Sequence, residues 1–298
     1  MIAHLFPGQG AQFPGMGADV YKHSFSAKSK FEKANDILGF RLSEIMFKGS
    51  VEELKQTRVT QPAIFIHSVA LAMFLADSMK PEMMAGHSLG EFSALVASKS
   101  LTLDAGLRLV KLRAEAMQRA CENTNGTMAA VLKLDDATVE QVCKDVDGIV
   151  VPANYNSPGQ LVISGERAAV ETAAELLKEA GGRAVVLKVA GAFHSKLMNK
   201  AYNELSTAID AVEFAEPFCP IYQNGTAQAT QNPEELKKNL KEHMVSPVYW
   251  TKTIANMIQD GADEFVEIGP GKVLQGLVKK IAPEVGITSL DSVPKEED

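Results

Sequence analysis

The sequence contains little cysteine and no long apolar run. Its 298 residues include three cysteines, Cys121, Cys143 and Cys219, and none has a partner at metal-ligand spacing. This spacing argues against a disulfide framework and a zinc site. The most apolar stretch, residues 63–76, is too short to span a membrane, and the N-terminus lacks the basic and apolar regions of a signal peptide. We therefore predict a soluble, cytoplasmic protein that does not bind a membrane.

Basic residues are also in deficit. The chain has 30 lysines and arginines against 37 aspartates and glutamates, which gives a formal net charge of −7. Proteins that neutralise phosphate backbones carry an excess of positive charge, so this balance argues against nucleic acid as a partner. Hydrophobic residues make up 46% of the chain, which is enough to bury a large core.

The first third of the chain alternates short apolar runs with longer helical patterns, which is typical of an α/β domain with a mostly parallel sheet. Strands are predicted over residues 2–6 and 83–86. A helix is predicted over residues 62–79, because the proline at its first position is favoured in a first helical turn. Further helices are predicted over residues 89–98 and 103–121.

The segment 125–189 has a different pattern, with the order βαββαβ of a ferredoxin-like unit. We predict that it forms a small subdomain inserted into a large catalytic subdomain made of residues 1–124 and 190–298. After the insertion the alternation of helices and strands resumes, and the last residues, 294–298, are predicted to form a frayed tail. The predicted elements are strand 127–134, helix 136–146, strand 149–153, strand 160–164, helix 166–180, strand 183–189, helices near 195–210, 234–243, 247–259 and 272–281, and strands near 220–223 and 264–268.

Residues 86–90, Gly-His-Ser-Leu-Gly, fit the G-x-S-x-G nucleophile elbow. Small residues around the serine allow a sharp strand-to-helix turn that exposes its hydroxyl. The motif lies between an apolar strand and a helix, so backbone N–H groups of the helix N-terminus adjoin Ser88. We interpret Ser88 as a nucleophile; the alternative is a tight turn in which Ser88 only caps the helix.

A serine hydroxyl needs a base to accept its proton. His194 is the best candidate, because it follows the last strand of the inserted unit in a loop that can reach a cleft between subdomains. No aspartate or glutamate stands out as a third member of a triad, so a backbone carbonyl is a possible partner for the imidazole. The six histidines considered are His4, His23, His67, His87, His194 and His243.

Two further features are compatible with a site near Ser88. The loop after the first strand, Gly8-Gln9-Gly10, lacks the third glycine of a dinucleotide fingerprint but suits a loop that presents an amide or N–H to an oxyanion. Its alternative is an ordinary turn. Arg113 lies on an apolar helical stripe and therefore needs an anion, either a structural salt-bridge partner or a substrate carboxylate.

Several motifs along almost the whole chain together resemble the malonyl-CoA:acyl carrier protein transacylases, an acyltransferase family of fatty acid and polyketide synthesis. That family also contains an inserted βαββαβ unit beside an α/β-hydrolase-like subdomain. The motifs are Phe6-Pro-Gly-Gln-Gly10, Thr60-Gln-Pro-Ala63, Gly86-His-Ser-Leu-Gly-Glu91, Leu112-Arg-Ala114, Asn154-Tyr-Asn-Ser-Pro-Gly159, Gly191-Ala-Phe-His-Ser195, Pro247-Val-Tyr-Trp250 and Glu267-Ile-Gly-Pro-Gly-Lys272.

The resemblance implies ping-pong transfer of malonyl from CoA to the phosphopantetheine thiol of acyl carrier protein. Ser88 would be the nucleophile and His194 the general base and acid, while Gln9 and the N–H of Leu89 would form the oxyanion hole. Arg113 would bind the malonyl carboxylate. Gln61 would lie beside the site, and the ring of Phe193 would crowd an α-methyl branch. No metal, nucleotide or prosthetic group is expected, since the CoA thioester is a substrate.

One position departs from the family pattern. His243 stands where many members carry a glutamine, in the segment whose carbonyl holds the catalytic histidine, so a side-chain role there is open. The alternatives to the transacylase are a serine thioesterase or hydrolase, and a related acyltransferase that serves polyketide synthesis. The acidic carrier would need a local basic patch, for which Lys188, Lys196 and Lys200 are candidates.

Overall fold

The computed structural model describes residues 1–23, 25–76, 78–187, 189 and 191–293. The predicted tail, 294–298, and Lys188 lie outside these residues. Ten strands occur in the described part: β1 (Ile2–Phe6), β2 (Met83–Gly86), β3 (Gly126–Leu132), β4 (Val150–Ser157), β5 (Gln160–Glu166), β6 (Arg183–Val186), β7 (Ile221–Tyr222), β8 (Ala229–Thr230), β9 (Glu264–Ile268) and β10 (Gly286–Leu290).

Thirteen α-helices occur in the same described ranges, and a short 3₁₀ turn over Lys196–Met198 precedes the tenth. The helices are α1 (Ala18–His23), α2 (Phe25–Leu38), α3 (Leu42–Lys48), α4 (Val51–Lys55), α5 (Thr57–Leu75), α6 (Gly90–Ala97), α7 (Leu103–Asn123), α8 (Asp136–Asp145), α9 (Arg167–Glu179), α10 (Asn199–Asp210), α11 (Pro233–Glu242), α12 (Trp250–Gln259) and α13 (Val273–Ile281).

Six strands form a mostly parallel sheet, sheet A, in the order β10-β9-β1-β2-β7-β8. Its adjacent strands are parallel except for the short edge pair β7–β8. The α/β class and the predicted bounds of β1, β2 and β9 are confirmed. Strands β8 and β10 lie outside every predicted element.

The pairing of β1 with β2 positions the two loops in which the sequence predicts site residues. Phe6 pairs with Gly86, so the carboxyl ends of the two central strands meet at one edge of sheet A. The Gly8-Gln9-Gly10 loop leaves β1 there, and the Ser88 turn leaves β2 beside it. Ligand sites of open parallel sheets lie at this edge.

Both faces of sheet A are covered by helices, which explains why its central strands are apolar throughout. On one face Ala3 and Leu5 of β1 pack with Trp250 and Ile254 of α12. On the other face Phe6 belongs to the large core that is built mainly from α5, α6 and α7.

The helix predicted to start at Pro62 begins five residues earlier, at Thr57. Pro62 therefore lies inside α5 and leaves one backbone acceptor without its N–H partner. The preceding turn is held by other bonds, because the N–H groups of Val59 and Thr60 and the hydroxyl of Thr60 all donate to the carbonyl of Gln56. This extra turn carries Gln61 into the core.

Four inserted strands form a separate antiparallel sheet, sheet B, in the order β4-β5-β3-β6. This is the strand order of a ferredoxin-like unit, and the predicted βαββαβ succession is confirmed. Strand β6 ends at Val186 and is three residues shorter than predicted. The subdomain boundaries at 124/125 and 189/190 stay a prediction, and Ala190 lies outside the described residues.

Within the described ranges one helix, α5, is long and apolar enough to cross a membrane by length and composition alone. Its most apolar window is 83% buried inside the protein. Packing against α7, α6 and α2 accounts for that burial, so the composition of α5 is that of a core helix.

Candidate active site

The turn that follows β2 holds Ser88 in a left-handed conformation, with φ of +52°. The two glycines of the motif are needed on steric grounds. A Cβ at Gly86 would lie 1.9 Å from the carbonyl carbon of Gly90, and a Cβ at Gly90 would lie 2.1 Å from the carbonyl oxygen of Phe6. The sequence G-x-S-x-G therefore folds here as an elbow that places the Ser88 hydroxyl at the start of α6.

His194 reaches this hydroxyl from the loop after β6. Its Nε2 lies 2.8 Å from the Ser88 Oγ. Its Nδ1 lies 3.1 Å from the carbonyl oxygens of both His243 and Ser246. Carbonyls only accept, so Nδ1 carries the proton and donates, and Nε2 is left as the acceptor for the Ser88 hydroxyl. The imidazole is thus oriented as a general base by main-chain oxygens.

Burial favours the neutral imidazole. His194 is 5% exposed, and desolvation, together with the nearby Arg113 cation, lowers its pKa to about 3. The carbonyl contacts at Nδ1 oppose this shift only in part. The unprotonated ring is therefore available across the whole neutral range.

Arg113 also touches the nucleophile. Its side chain is fully buried on α7; Nη1 donates to Gln61 Oε1 at 2.6 Å and Nη2 donates to Ser88 Oγ at 3.2 Å. Burial lowers its pKa to about 10, which leaves the guanidinium charged. The salt-bridge alternative considered from the sequence is wrong, because no carboxylate of the described residues forms an ion pair with Arg113; the buried Glu91 carboxyl acts on the guanidinium only by a longer-range Coulombic attraction. Because no ion pair neutralises it at close range, this buried cation can accept an anionic ligand.

Gln61 and Met117 complete the surroundings of Arg113. The Gln61 side chain is fully buried on α5, and its Nε2 lies 3.3 Å from the Met117 Sδ. That contact fixes the amide with its oxygen toward Arg113. Gln61 therefore orients the guanidinium next to Ser88.

The sequence predicts an oxyanion hole formed by Leu89 and Gln9. The Leu89 N–H, in the first turn after the elbow, meets no hydrogen-bond acceptor in the described part of the chain. Gln9 is exposed on the loop after β1 and lines the same cleft. The Ser88 N–H is different, because it already donates to Asn224 Oδ1 at 2.6 Å.

Ser88 and His194 form a dyad, which opens into a cleft of about 830 Å³ between the edge of sheet A and sheet B. Sheet B contributes Met128, Asn154 and Val162 to its walls, and Phe193 lines it next to the dyad. The elbow is tied directly to sheet B, because His87 Nε2 lies 2.9 Å from Asn156 Oδ1. A volume of about 830 Å³ is in the range of small-molecule binding sites.

His243 lies behind the dyad and contributes through its backbone. Its carbonyl faces His194, while its own ring is 1% exposed and centred 5.2 Å from the His194 ring. Neither ring nitrogen has a hydrogen-bond partner among the residues described here. Nδ1 lies 4.0 Å from Glu91 Oε2, and burial holds the pKa of His243 well below its usual range.

Sequence reasoning assigned no role to three residues that the structure brings to the site, Asn224, Glu91 and Ser246. Asn224 and Ser246 are 136 and 158 positions from Ser88, so local spacing gave no signal for them. Glu91 directly follows the elbow motif and belongs to the longer motif, residues 86–91, that carries the family resemblance. A polar Gln-Asn pair directly after β7, at the ligand edge of sheet A, was the available signal for Asn224.

The chain belongs to the acyl transferase domain family, which matches residues 3–296. It is 42% identical over 285 residues to the malonyl CoA-acyl carrier protein transacylase of Bacillus subtilis strain 168, covering 94% of this chain and 90% of that protein. The transacylase of the same name from Staphylococcus aureus strain MRSA252 is 39% identical over 295 residues, covering 98% of this chain and 96% of that protein.

Solved structures of malonyl-transferring enzymes also resemble this chain. An acyl carrier protein S-malonyltransferase from Vibrio cholerae is 39% identical with a TM-score of 0.94, and the match covers 98% of this chain and 97% of that one. A malonyl-transacylase in complex with its acyl carrier protein from a type II polyketide synthase is 37% identical with a TM-score of 0.94, covering 98% and 96%. The fold is therefore that of the malonyl-transferring acyltransferases.

Proposed function

We propose that this protein transfers a malonyl group from malonyl-CoA to the phosphopantetheine thiol of acyl carrier protein, through a malonyl ester of Ser88. The observation that carries the proposal is the buried Arg113 guanidinium, whose Nη2 lies 3.2 Å from the Ser88 Oγ. Without a carboxylate partner among the described residues, it is a receptor for the free carboxylate of a malonyl group. The transacylase relatives support both the donor and the carrier.

Acylation begins with attack of the Ser88 Oγ on the thioester carbonyl carbon, while the hydroxyl proton passes to His194 Nε2 over the 2.8 Å contact. The tetrahedral oxyanion is bound by the Leu89 N–H and by Gln9. Collapse breaks the carbon–sulfur bond, and the departing CoA sulfur takes the proton from His194. The thiol of the carrier then attacks the ester by the same steps in reverse order.

Substrate binding should improve the base. Arg113 is the second cause, after burial, of the lowered pKa of His194. When the malonyl carboxylate pairs with Arg113, the cation is neutralised and the pKa of His194 rises. A base with a higher pKa accepts the Ser88 proton more readily. A neutral acyl group such as acetyl gives no such assistance.

Arg113 and Phe193 account for the proposed selectivity. A site built around a charge leaves the guanidinium unpaired when acetyl binds, so malonyl is preferred. Phe193 is 8% exposed and lines the cleft beside His194. Its ring disfavours an α-methyl branch, so methylmalonyl is expected to react more slowly.

The proposed chemistry requires no metal or prosthetic group. A reducing, cytoplasmic location is supported by the three cysteines, which are all buried and unpaired. Hydrolysis, the rival reaction of the same dyad, is not favoured by the relatives, which are named as transacylases.

The test supplies malonyl-CoA with and without carrier protein bearing its phosphopantetheine arm, and follows CoA release and malonyl-carrier together. A transferase releases CoA in a single burst without carrier and continues to turn over with it, in equal amounts of CoA and malonyl-carrier. Continuous CoA release without carrier would identify a hydrolase. Running fatty acid and polyketide carriers in parallel identifies the pathway by kcat/KM.

A further inference from the structure

Asn224 spans the two sides of the nucleophile elbow. It follows β7 and is completely buried. Its side-chain oxygen accepts the Ser88 N–H at 2.6 Å, and its side-chain nitrogen donates to the Gly86 carbonyl at 2.6 Å. One amide therefore binds the peptide groups on both sides of His87.

Asn224 is itself fixed at both ends of its backbone. Its N–H donates to the Glu91 carboxyl, which is 1% exposed in the first turn of α6. Its carbonyl accepts the Tyr249 N–H at 3.0 Å. Tyr249 lies three residues after Ser246, whose carbonyl orients His194. The same polar network thus runs from the nucleophile to the segment that holds the base.

The elbow needs such support for a physical reason. Ser88 has φ of +52° and His194 has φ of +57°, and non-glycine residues adopt this region only when the surrounding structure holds them there. The hydrogen bond to Asn224 also occupies the Ser88 N–H. It therefore directs oxyanion binding to the Leu89 N–H, which stays unengaged among the described residues.

We propose that Asn224, held by Glu91, is a positioning residue that locks the Ser88 peptide in its left-handed conformation and aims the hydroxyl at His194. The inference rests on the proposed function, since acylation of Ser88 is its readout. Asn224 affects the rate of the chemical step, whereas the contacts of the acyl group do not involve Asn224. Substituting Asn224 should therefore lower kcat and leave KM nearly as it is.

The experiment measures the single-turnover rate of Ser88 acylation by malonyl-CoA in wild type, Asn224→Ala and Asn224→Asp. Misplacement of a nucleophile by about 1 Å costs on the order of 100-fold in rate, which is the loss expected for Asn224→Ala, with KM changed less than about threefold. Asn35→Ala is the matched control. Asn35 is 4% exposed and bonds Ser43 through both ends of its amide, but on α2, away from the cleft.

Asn224→Asp keeps the fold testable if the alanine variant fails to fold, and adds a readout that lost stability alone would not give. A carboxylate still accepts the Ser88 N–H but turns a second acceptor toward the Gly86 carbonyl. A protonated carboxyl restores the missing donor, so the Asp-to-wild-type rate ratio should rise as pH falls from about 8 to about 5. The titratable groups Glu91, His87, Arg113, His194 and His243 surround this position in both proteins, so the ratio removes the part of their titration that the two proteins share.

Three results would overturn the inference. They are a folded Asn224→Ala with an acylation rate within threefold of wild type, an equal loss in Asn35→Ala, and an Asp-to-wild-type ratio that does not change with pH. Failure of the proposed function would look different, because wild type itself would then form no malonyl ester. The wild-type result and the ratio of variant to wild type therefore test separate claims.

Discussion

Removing Arg113 should change which acyl group the enzyme accepts. Arg113→Ala deletes a buried guanidinium whose hydrogen bonds go to Gln61 and Ser88, so the vacated site holds no charge for the malonyl carboxylate. A charge-assisted hydrogen bond contributes about 1.5–3 kcal/mol. Since about 1.4 kcal/mol is a factor of ten, the malonyl-over-acetyl ratio of kcat/KM should fall by about 10- to 150-fold.

The assay compares acyl-enzyme formation from malonyl-CoA and acetyl-CoA in the same preparation of the variant. The ratio is insensitive to partial unfolding, because both substrates meet the same folded fraction. Arg113→Lys should lie between wild type and alanine, since a lysine keeps the charge and loses the bidentate geometry. Arg167→Ala, at a partly exposed position on α9 outside the cleft lining, is the control and should leave the ratio unchanged.

The pH profile gives an independent check on the same residue. Arg113 helps to lower the pKa of His194, so Arg113→Ala should move the acid limb of acetyl transfer to higher pH. An equal loss of rate for malonyl and acetyl would refute the reasoning. It would mean that Arg113 serves only to support the fold.

Three further predictions concern pH and charge. In wild type, kcat/KM should stay level from about pH 8 down to about pH 5, because the pKa of His194 in the free protein is about 3. The acid limb of kcat should lie at higher pH than that of kcat/KM, because the bound malonyl carboxylate neutralises Arg113 and raises the pKa of His194. The free energy of unfolding should decrease as pH falls from about 6.5 toward 4, because burial lowers the pKa of His4 and His67 to about 4 and that of His194 to about 3, so the unfolded chain binds more protons. The raised pKa of Glu91, about 8, acts in the opposite direction and is outweighed by the three histidines; urea midpoints at pH 7.5 and 5 measure the sum. Reversing the exposed charges of Lys196 and Lys200 to glutamate should raise KM for the carrier and leave KM for malonyl-CoA unchanged.

Each of these predictions has a contradicting result. Loss of kcat/KM near pH 6.5 would mean that His194 titrates as an ordinary exposed histidine. Equal urea midpoints at the two pH values would show that His4 and His67 are not buried in their neutral forms. An unchanged KM for carrier would remove Lys196 and Lys200 from the docking surface.

The elements that could be predicted are those determined by residues close together in the sequence. The elbow is recognisable because Gly86 and Gly90 flank the serine, and both are required by contacts within a few ångströms of the turn. The strand bounds of β1, β2 and β9 follow from short apolar runs. The inserted unit is readable because each of its two amphipathic helices, α8 and α9, lies between two strands in the chain.

The unpredicted part depends on contacts between distant segments. The helices α1, α3 and α4 have only five to seven residues each, so tertiary packing decides their bounds. Pro62 was interpreted as the start of α5, whereas the bonds of Thr60 and Val59 to Gln56 allow the helix to begin one turn earlier. Asn224 lies 136 residues from the peptide it holds, a distance that no local pattern encodes.

The pair of main-chain carbonyls at His194 illustrates the same limit. The absence of a persuasive aspartate or glutamate in the sequence left the orientation of the imidazole open. The structure supplies acceptors from His243 and Ser246, at 3.1 Å each. Every residue has a carbonyl, so side-chain chemistry in the sequence does not mark which one is used.

The central claim is that Ser88 carries the malonyl group. Intact-protein mass spectrometry after brief mixing with malonyl-CoA tests it directly, in wild type and in Ser88→Ala. Wild type should gain the mass of one malonyl group and lose it when carrier protein is added. Ser88→Ala should show no gain in mass. A malonyl adduct that persists in Ser88→Ala, or its complete absence from wild type, would contradict the account.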